Sequence, residues 1–171
     1  FVPPGGNYIL SLSLRPYLVI ILPVIIDFHT HILPPGFREN RGRYLGRDPS
    51  FDLLYNDPKA KIATAEELIT NMDKEGISVS VVLNIGWSNH ELCRETNDYI
   101  MEAIARYPRR LVGFCAVQPL AGGKAIAELE RCIKGGIKGI GELRCDTQGF
   151  DLADKDIMGP IAQVVREHRL I

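Results

Sequence analysis

The chain has 171 residues, enough for one ordinary domain and too few for two well-packed ones. With 46% hydrophobic and 24% charged residues, the composition is that of a packed globular protein and excludes the disordered, collagenous and disulfide-rich classes. Lys and Arg (20) nearly balance Asp and Glu (21), no long run carries one sign, and charge gives no reason to expect a nucleic-acid partner.

The sequence opens without Met and its first Met is Met72, which reads as a piece of a longer chain. Residues 1–23, with Pro3-Pro4-Gly5-Gly6 near the front, are taken as an N-terminal extension and residues 24–171 as the domain. The apolar run over 17–26 is far shorter than the roughly 20 residues of a membrane helix, and Pro23 divides it. It passes into Asp27-Phe28-His29 without a cleavage site, so it does not read as a signal peptide either. Val24–Phe28 is expected to be a buried strand. The four cysteines, Cys93, Cys115, Cys132 and Cys145, include no C-x-x-C pair and read as reduced thiols of a cytoplasmic protein.

A strand-helix alternation follows. Thr64-Ala65-Glu66-Glu67 has the spacing of a capping box. Ala65, Leu68, Ile69 and Met72 then fall on one helical face, which Gly76 can end in the left-handed conformation. Ile77–Leu83 is short and β-branched, predicting a strand. Ser88-Asn89-His90-Glu91 reads as a second capping box, opening a helix that ends before Pro108. Leu111–Val117 is a third strand. Ala125, Ile126, Leu129 and Ile133 mark a third helix, closed by Gly135-Gly136, and Ile137–Leu143 is a fourth strand. Ile157, Ile161, Val164, Val165 and His168 mark a fourth helix, with Pro160 expected in the first turn of a restarted helix. Leu170-Ile171 reads as the start of a fifth strand, cut off by the chain end.

Near-continuous apolar strands alternating with helices predict an α/β fold with parallel pairing. Strand starts near 24, 77, 110, 137 and 170 give a repeat of which eight copies need roughly 290 residues, the size of a (β/α)8 TIM barrel. The expectation is such a barrel truncated to about its first half, with open edges that favour aggregation or pairing with a second copy. The rival is an open, doubly wound five-stranded sheet, against which stands the lack of a G-x-G-x-x-G after strand one.

Asp27-Phe28-His29-Thr30-His31 lies at the C-terminal end of strand one, where barrel active sites are built. Alternation places Asp27, His29 and His31 on one face, with the two imidazoles as a half-site for zinc or a similar divalent ion. Here the sequence resembles the amidohydrolase superfamily of metal-dependent barrel enzymes, whose first strand ends in H-x-H. Ile26-Asp27-Phe28-His29-Thr30-His31-Ile32-Leu33-Pro34 is most similar to the amidohydrolase-2 branch, which holds hydrolases and the aminocarboxymuconate-semialdehyde and resorcylate type decarboxylases. The resemblance covers roughly residues 24–171. It implies that His29 and His31 bind metal, zinc first with manganese or iron as alternatives. The branch's later ligands, His after strands five and six and Asp after strand eight, have no counterpart before Ile171.

Gly139-Ile140-Gly141-Glu142-Leu143-Arg144-Cys145-Asp146 resembles the fourth strand of TatD-like metal-dependent deoxyribonucleases, in which the Glu is a ligand. Glu142 is therefore a third candidate ligand, the ordinary alternative being an ion pair with Arg144. Asp27 and Glu142 are the candidate catalytic carboxylates, Asp27 by orienting a histidine ring. Trp87 and His90 follow strand two on the same rim and are candidate walls of a substrate site. The stretch Pro34–Ala63 exceeds ordinary connections and reads as a lid or as a solvated surface loop; as a lid, its Arg38, Arg41, Arg43 and Arg47, together with Arg144 at the rim, suit a small carboxylate substrate. The implied activity is metal-dependent hydrolysis of an amide, ester or lactone, with non-oxidative decarboxylation or a non-catalytic half-barrel as alternatives.

Overall fold

The computed structural model describes residues 24–171, so the reading of residues 1–23 as an extension lies outside the described residues. Four strands run in parallel, β1 (Ile26–His31), β2 (Val79–Leu83), β3 (Leu111–Cys115) and β4 (Gly139–Ile140). Between β1 and β2 come three short helices, α1 (Pro35–Glu39), α2 (Arg41–Tyr44) and α3 (Pro49–Tyr55), and then α4 (Ala65–Glu75). Helix α5 (His90–Arg106) joins β2 to β3, α6 (Gly123–Lys134) joins β3 to β4, and the short α7 (Cys145–Gln148) precedes α8 (Lys155–Glu167).

Strand order in the sheet is β1-β2-β3-β4, the sequence order. A doubly wound sheet reverses direction at a switch point, whereas sequential order is that of a barrel wall. The fold is α/β, a (β/α) unit repeated as in the first half of a TIM barrel. The ladder also continues past β4. Ile171 N–H donates to Lys138 O (3.1 Å) and Ile140 N–H to Ile171 O (2.9 Å), the reciprocal pattern of a parallel pair.

Two apolar layers clothe the sheet. Val82, Leu111 and Cys115 pack against Met72, Ile100, Leu129 and Ile161 of the covering helices. Val81, Leu83 and Phe114 cluster on the opposite face, where Phe28 meets Phe114 edge-on at 6.0 Å. Each fully buried aliphatic side chain stabilises the fold by roughly 1.5–3 kcal/mol, which is what orders the helices on the sheet.

The Thr64 capping box forms, its hydroxyl accepting from Glu67 N–H and the Glu67 carboxylate from Thr64 N–H, and Gly76 ends α4 at φ 71°. Other expectations need correction. Strand β1 begins at Ile26 and is not buried along 24–28: Val24, Ile25, Ile26 and Phe28 are all exposed, because among the described residues β1 pairs on one edge only, with β2. The cap of α5 is Asn89, whose side chain accepts from the Glu91 and Leu92 amides, because Ser88 directs both its N–H and its hydroxyl to Asp48. Strand β4 is two residues long because the chain turns at Gly141, at φ 152°, away from β3 and toward the end of β2. Helix α8 runs unbroken through Pro160. The carbonyl the proline leaves unpaired belongs to Asp156, and both residues are exposed, so water can serve it.

Glu128 on α6 is buried, yet its carboxylate accepts from Asn97 Nδ2 (2.8 Å), from Arg131 Nε (2.8 Å) and Nη2 (2.7 Å), and from Cys132 Sγ (3.4 Å). Burial alone would raise its pKa, but these donors outweigh burial and hold the carboxyl below the usual range. A depressed folded pKa contributes stability that is present above the unfolded value of about 4.3 and lost as pH falls through the folded value. Glu128→Gln should therefore destabilise by about 2 kcal/mol at pH 7, less than a fully buried pair because Arg131 is partly exposed and keeps Asp98. Urea unfolding at pH 7 and pH 3 should show the gap between variant and wild type shrinking in acid.

Candidate metal centre

The register of β1 on β2 decides where the histidines go. Ile26 and Asp27 stand against Val79 and Ser80, but Thr30 and His31 stand against Val82 and Leu83. Three steps along β1 thus match two along β2, a bulge that inserts one residue between Asp27 and Thr30. Simple alternation fails across it, and Asp27 lies on the face opposite His31. The Asp27 carboxylate accepts from the His29 backbone N–H (3.2 Å) and not from an imidazole, which corrects its expected role as a ring-orienting group.

That task falls to a backbone carbonyl. His31 Nδ1 lies 3.1 Å from Leu83 O, which assigns the ring proton to Nδ1 and leaves Nε2 bare. The two Nε2 atoms of His29 and His31 stand 3.0 Å apart, and Glu142 Oε2 lies 3.5 Å from each. Among the described residues these side chains form the one group of His, Cys, Asp or Glu disposed to share a metal ion, with ligand atoms within 4.8 Å of one another. Three donors roughly 2.1 Å from a common cation stand about 3.0–3.4 Å apart, so the trio suits a divalent metal. Burial lowers the His31 pKa against the opposing pull of the Leu83 hydrogen bond and the Glu142 charge, favouring the neutral ring that a metal requires.

Glu142 does not pair with Arg144, whose guanidinium instead meets Asp146 at 2.7 Å. Two peptide groups hold Glu142 in place: its N–H donates to Asn84 O (2.8 Å), and Asn84 N–H donates to Gly141 O (3.3 Å). The remaining candidates lie elsewhere. Trp87 is fully buried among Phe37, Phe51, Leu92 and Cys93, its indole N–H on Asn84 Oδ1 (2.8 Å), so it is a core residue under the β1–α4 connection and not an exposed wall. His90 opens α5 beside a groove lined by Arg94, Lys124 and Arg131, away from the trio. Arg38 pairs with Glu67 at 2.6 Å, and Arg41 donates to the carbonyls of Tyr55, Asp57 and Ala60.

Sequence reading missed the buried polar residues that build the rim, among them Asp48, Asn84 and Gln148. The Asp48 carboxylate accepts from Ser50 N–H, Ser88 N–H, the Ser88 hydroxyl and Asn89 N–H, tying the β1–α4 connection to the β2–α5 turn. Asn84, just past β2, bonds to Thr96 on α5, and Gln148 to Val117 O, just past β3. Asp48-Pro49 did carry a signal, an N-cap residue before a first-turn proline. Asn84 and Gln148 carried none that separates them from surface amides.

A sequence profile described as amidohydrolase, of the second amidohydrolase type, matches residues 26–171. The chain belongs to the amidohydrolase family. Solved structures agree in fold. The 5-carboxyvanillate decarboxylase of Novosphingobium aromaticivorans, with bound manganese and a nitrobenzoic acid, superposes with a TM-score of 0.70 at 21% identity, over 86% of this chain and 49% of that one. The 4-oxalomesaconate hydratase of Rhodopseudomonas palustris gives 0.59 at 21% identity, over 86% and 50%. The IDCase of Metarhizium anisopliae gives 0.66 at 19% identity, over 86% and 49%. The chain thus spans about half the length of the amidohydrolase-fold structures it matches.

In metal-free protein, nitrogen NMR should find His31 as the Nδ1–H tautomer, titrating below the ordinary 6.5. A folded ring that releases its proton more readily than the unfolded one leaves stability constant above about pH 6.5 and lowers it as pH drops toward the folded midpoint. A His31 midpoint at or above 6.5 would contradict the geometry.

Proposed function

We propose that His29, His31 and Glu142 are ligands of a divalent metal in a hydrolase of the amidohydrolase type, acting on an amide, ester or lactone. The observation that carries this reading is the convergence of two imidazole Nε2 atoms and one carboxylate oxygen within 3.5 Å of one another at the C-terminal ends of parallel strands. A divalent cation held there supplies Lewis acidity, lowering the pKa of water and polarising a carbonyl oxygen. Zinc suits two imidazoles and a carboxylate, with manganese and iron as the alternatives. His31 presents its lone pair because Leu83 O holds its other nitrogen. Glu142, its side chain about one-third exposed, is open to substrate as well as to metal.

Of the residues read as substrate contacts, Arg144 keeps that role in this proposal. It stands two positions beyond Glu142, and its partner Asp146 is exposed, so the pair can open to receive a substrate oxygen. Arg38 and Arg41 are already engaged, which supports an acyl substrate over a polycarboxylate. A second reading, metal-dependent decarboxylation, is supported by the decarboxylases among the matched structures. Four free cysteines support a reducing, cytoplasmic setting, and no helix among the described residues is long and apolar enough to cross a membrane.

Metal analysis and paired assays on the full chain test the proposal. Changing both histidines to Ala should lower bound zinc or manganese at least about 10-fold, with loss of ester or lactone hydrolysis. Unchanged metal content in that variant overturns the ligand assignment. Carbon dioxide release from aromatic carboxylates, with no hydrolysis, selects the second reading.

A further inference from the structure

Two of the three proposed ligands are positioned by successive peptide groups at one point of the chain. Leu83 O accepts from His31 Nδ1–H, and the next residue, Asn84, exchanges both its backbone groups with Gly141 and Glu142. Strand β2 ends at Leu83, which the ladder with His31 holds, but Asn84 lies past the ladder and the sheet itself does not fix it. What fixes it is the Asn84 side chain, fully buried and bonded on every side: Nδ2 donates to Thr96 Oγ1 (2.7 Å) and Asn97 Oδ1 (3.0 Å), and Oδ1 accepts from the Trp87 indole (2.8 Å).

Each of these partners is itself committed. Thr96 donates its hydroxyl proton to Leu92 O (2.7 Å) and can only accept from Asn84. Asn97 Oδ1 also accepts from Ala116 N–H (2.9 Å). An amide at position 84 therefore has one satisfied orientation, and that orientation is set by helix α5. We infer that Asn84 is a positioning residue, transmitting the placement of α5 to Glu142 so that its carboxylate meets the two histidines, which the β1–β2 ladder places. The inference rests on the metal reading for its functional meaning, but the positioning is a property of the protein alone.

The obvious variant, Asn84→Ala, leaves the Trp87 N–H unmet in the interior and removes one of the two donors to Asn97 Oδ1. Thr96→Val is the milder companion, removing one acceptor at nearly constant volume. Ile161→Val, in the apolar layer under α8, serves as a control for general loss of stability. In metal-free full chain, the Glu142 amide proton should exchange at least about 10-fold faster in Asn84→Ala and Thr96→Val than in the control, since its bond to Asn84 O is the one loosened. Titration with manganese alone should show affinity about 10- to 100-fold weaker in both variants and unchanged in the control. In a double-mutant cycle, Glu142→Gln should add little to Asn84→Ala, because the carboxylate is already misplaced.

Unchanged Glu142 exchange, or fully additive costs in the cycle, overturns the inference. Should Asn84→Ala not fold, Thr96→Val decides by the same readouts. If wild type takes up no manganese, the metal reading fails, while the exchange experiment still decides whether Asn84 positions Glu142.

Discussion

Parallel strands diverge at their C-terminal ends, and the peptide groups exposed there must find partners other than the ladder. In this protein side-chain amides supply them, and the candidate site depends on that. Asn97 bonds both backbone groups of Ala116, donating to its carbonyl at 2.9 Å and accepting from its N–H at 2.9 Å, as a neighbouring strand would. Gln148 donates to Trp87 O and Val117 O, and Gln118 to Ser88 O and Gln148 O. A buried peptide group left unpaired costs about 1–3 kcal/mol, so these amides hold open a rim that would otherwise collapse or fray. The opening they maintain is where His29, His31 and Glu142 converge.

The long β1–α4 connection obeys the same constraint with different chemistry. Its helices are too short to stand alone, at four to seven residues, and must be fixed by tertiary contacts. Phe37 stacks on Tyr44 at 3.9 Å and Phe51 stacks on Trp87 at 6.0 Å, giving an aromatic layer of its own. Asp48 and Ser50 then join that layer to the rim, Ser50 through its hydroxyl to Gly86 O and Thr147. Arg41 turns inward to carbonyls of the segment, Arg38 sideways to Glu67, and Arg47 lies over the Tyr44 ring at 5.9 Å, which makes these three part of its scaffold. An arginine-rich loop need not be an anion trap when its own backbone lacks donors.

What could be read from sequence was whatever depends on nearest neighbours. The capping box at Thr64, the apolar face of α4 and the glycine at its end are all local, and helix and cap agree with the pattern. So is the strand-helix alternation that specifies parallel pairing. The bulge in β1 was not legible, because it is a relation between Asp27–Thr30 and Ser80–Val82, residues about fifty positions apart. Alternation alone put Asp27 beside the histidines, and the bulge moved it away. Ser88 illustrates the same limit: its spacing to Glu91 is that of a cap, but the buried carboxylate of Asp48 competes for it and Asn89 takes the task.

The electrostatics of the trio follow from the same scaffold. With the His31 proton held at Nδ1 by Leu83 O, its Nε2 carries a lone pair that faces His29 Nε2 at 3.0 Å and a Glu142 oxygen at 3.5 Å. Lone pairs brought this close repel unless a positive centre lies between them, either a proton shared with His29 or a cation. A neutral His29 ring with its proton on Nε2 can donate to His31 Nε2 without charging either ring, while burial disfavours a further proton that would make His31 an imidazolium. A divalent cation meets the same need without charging a ring and is attracted by the carboxylate as well. The Nδ1 proton of His31, and with it the direction of the Nε2 lone pair, is set by Leu83 O, a backbone atom that no side-chain substitution at position 83 removes.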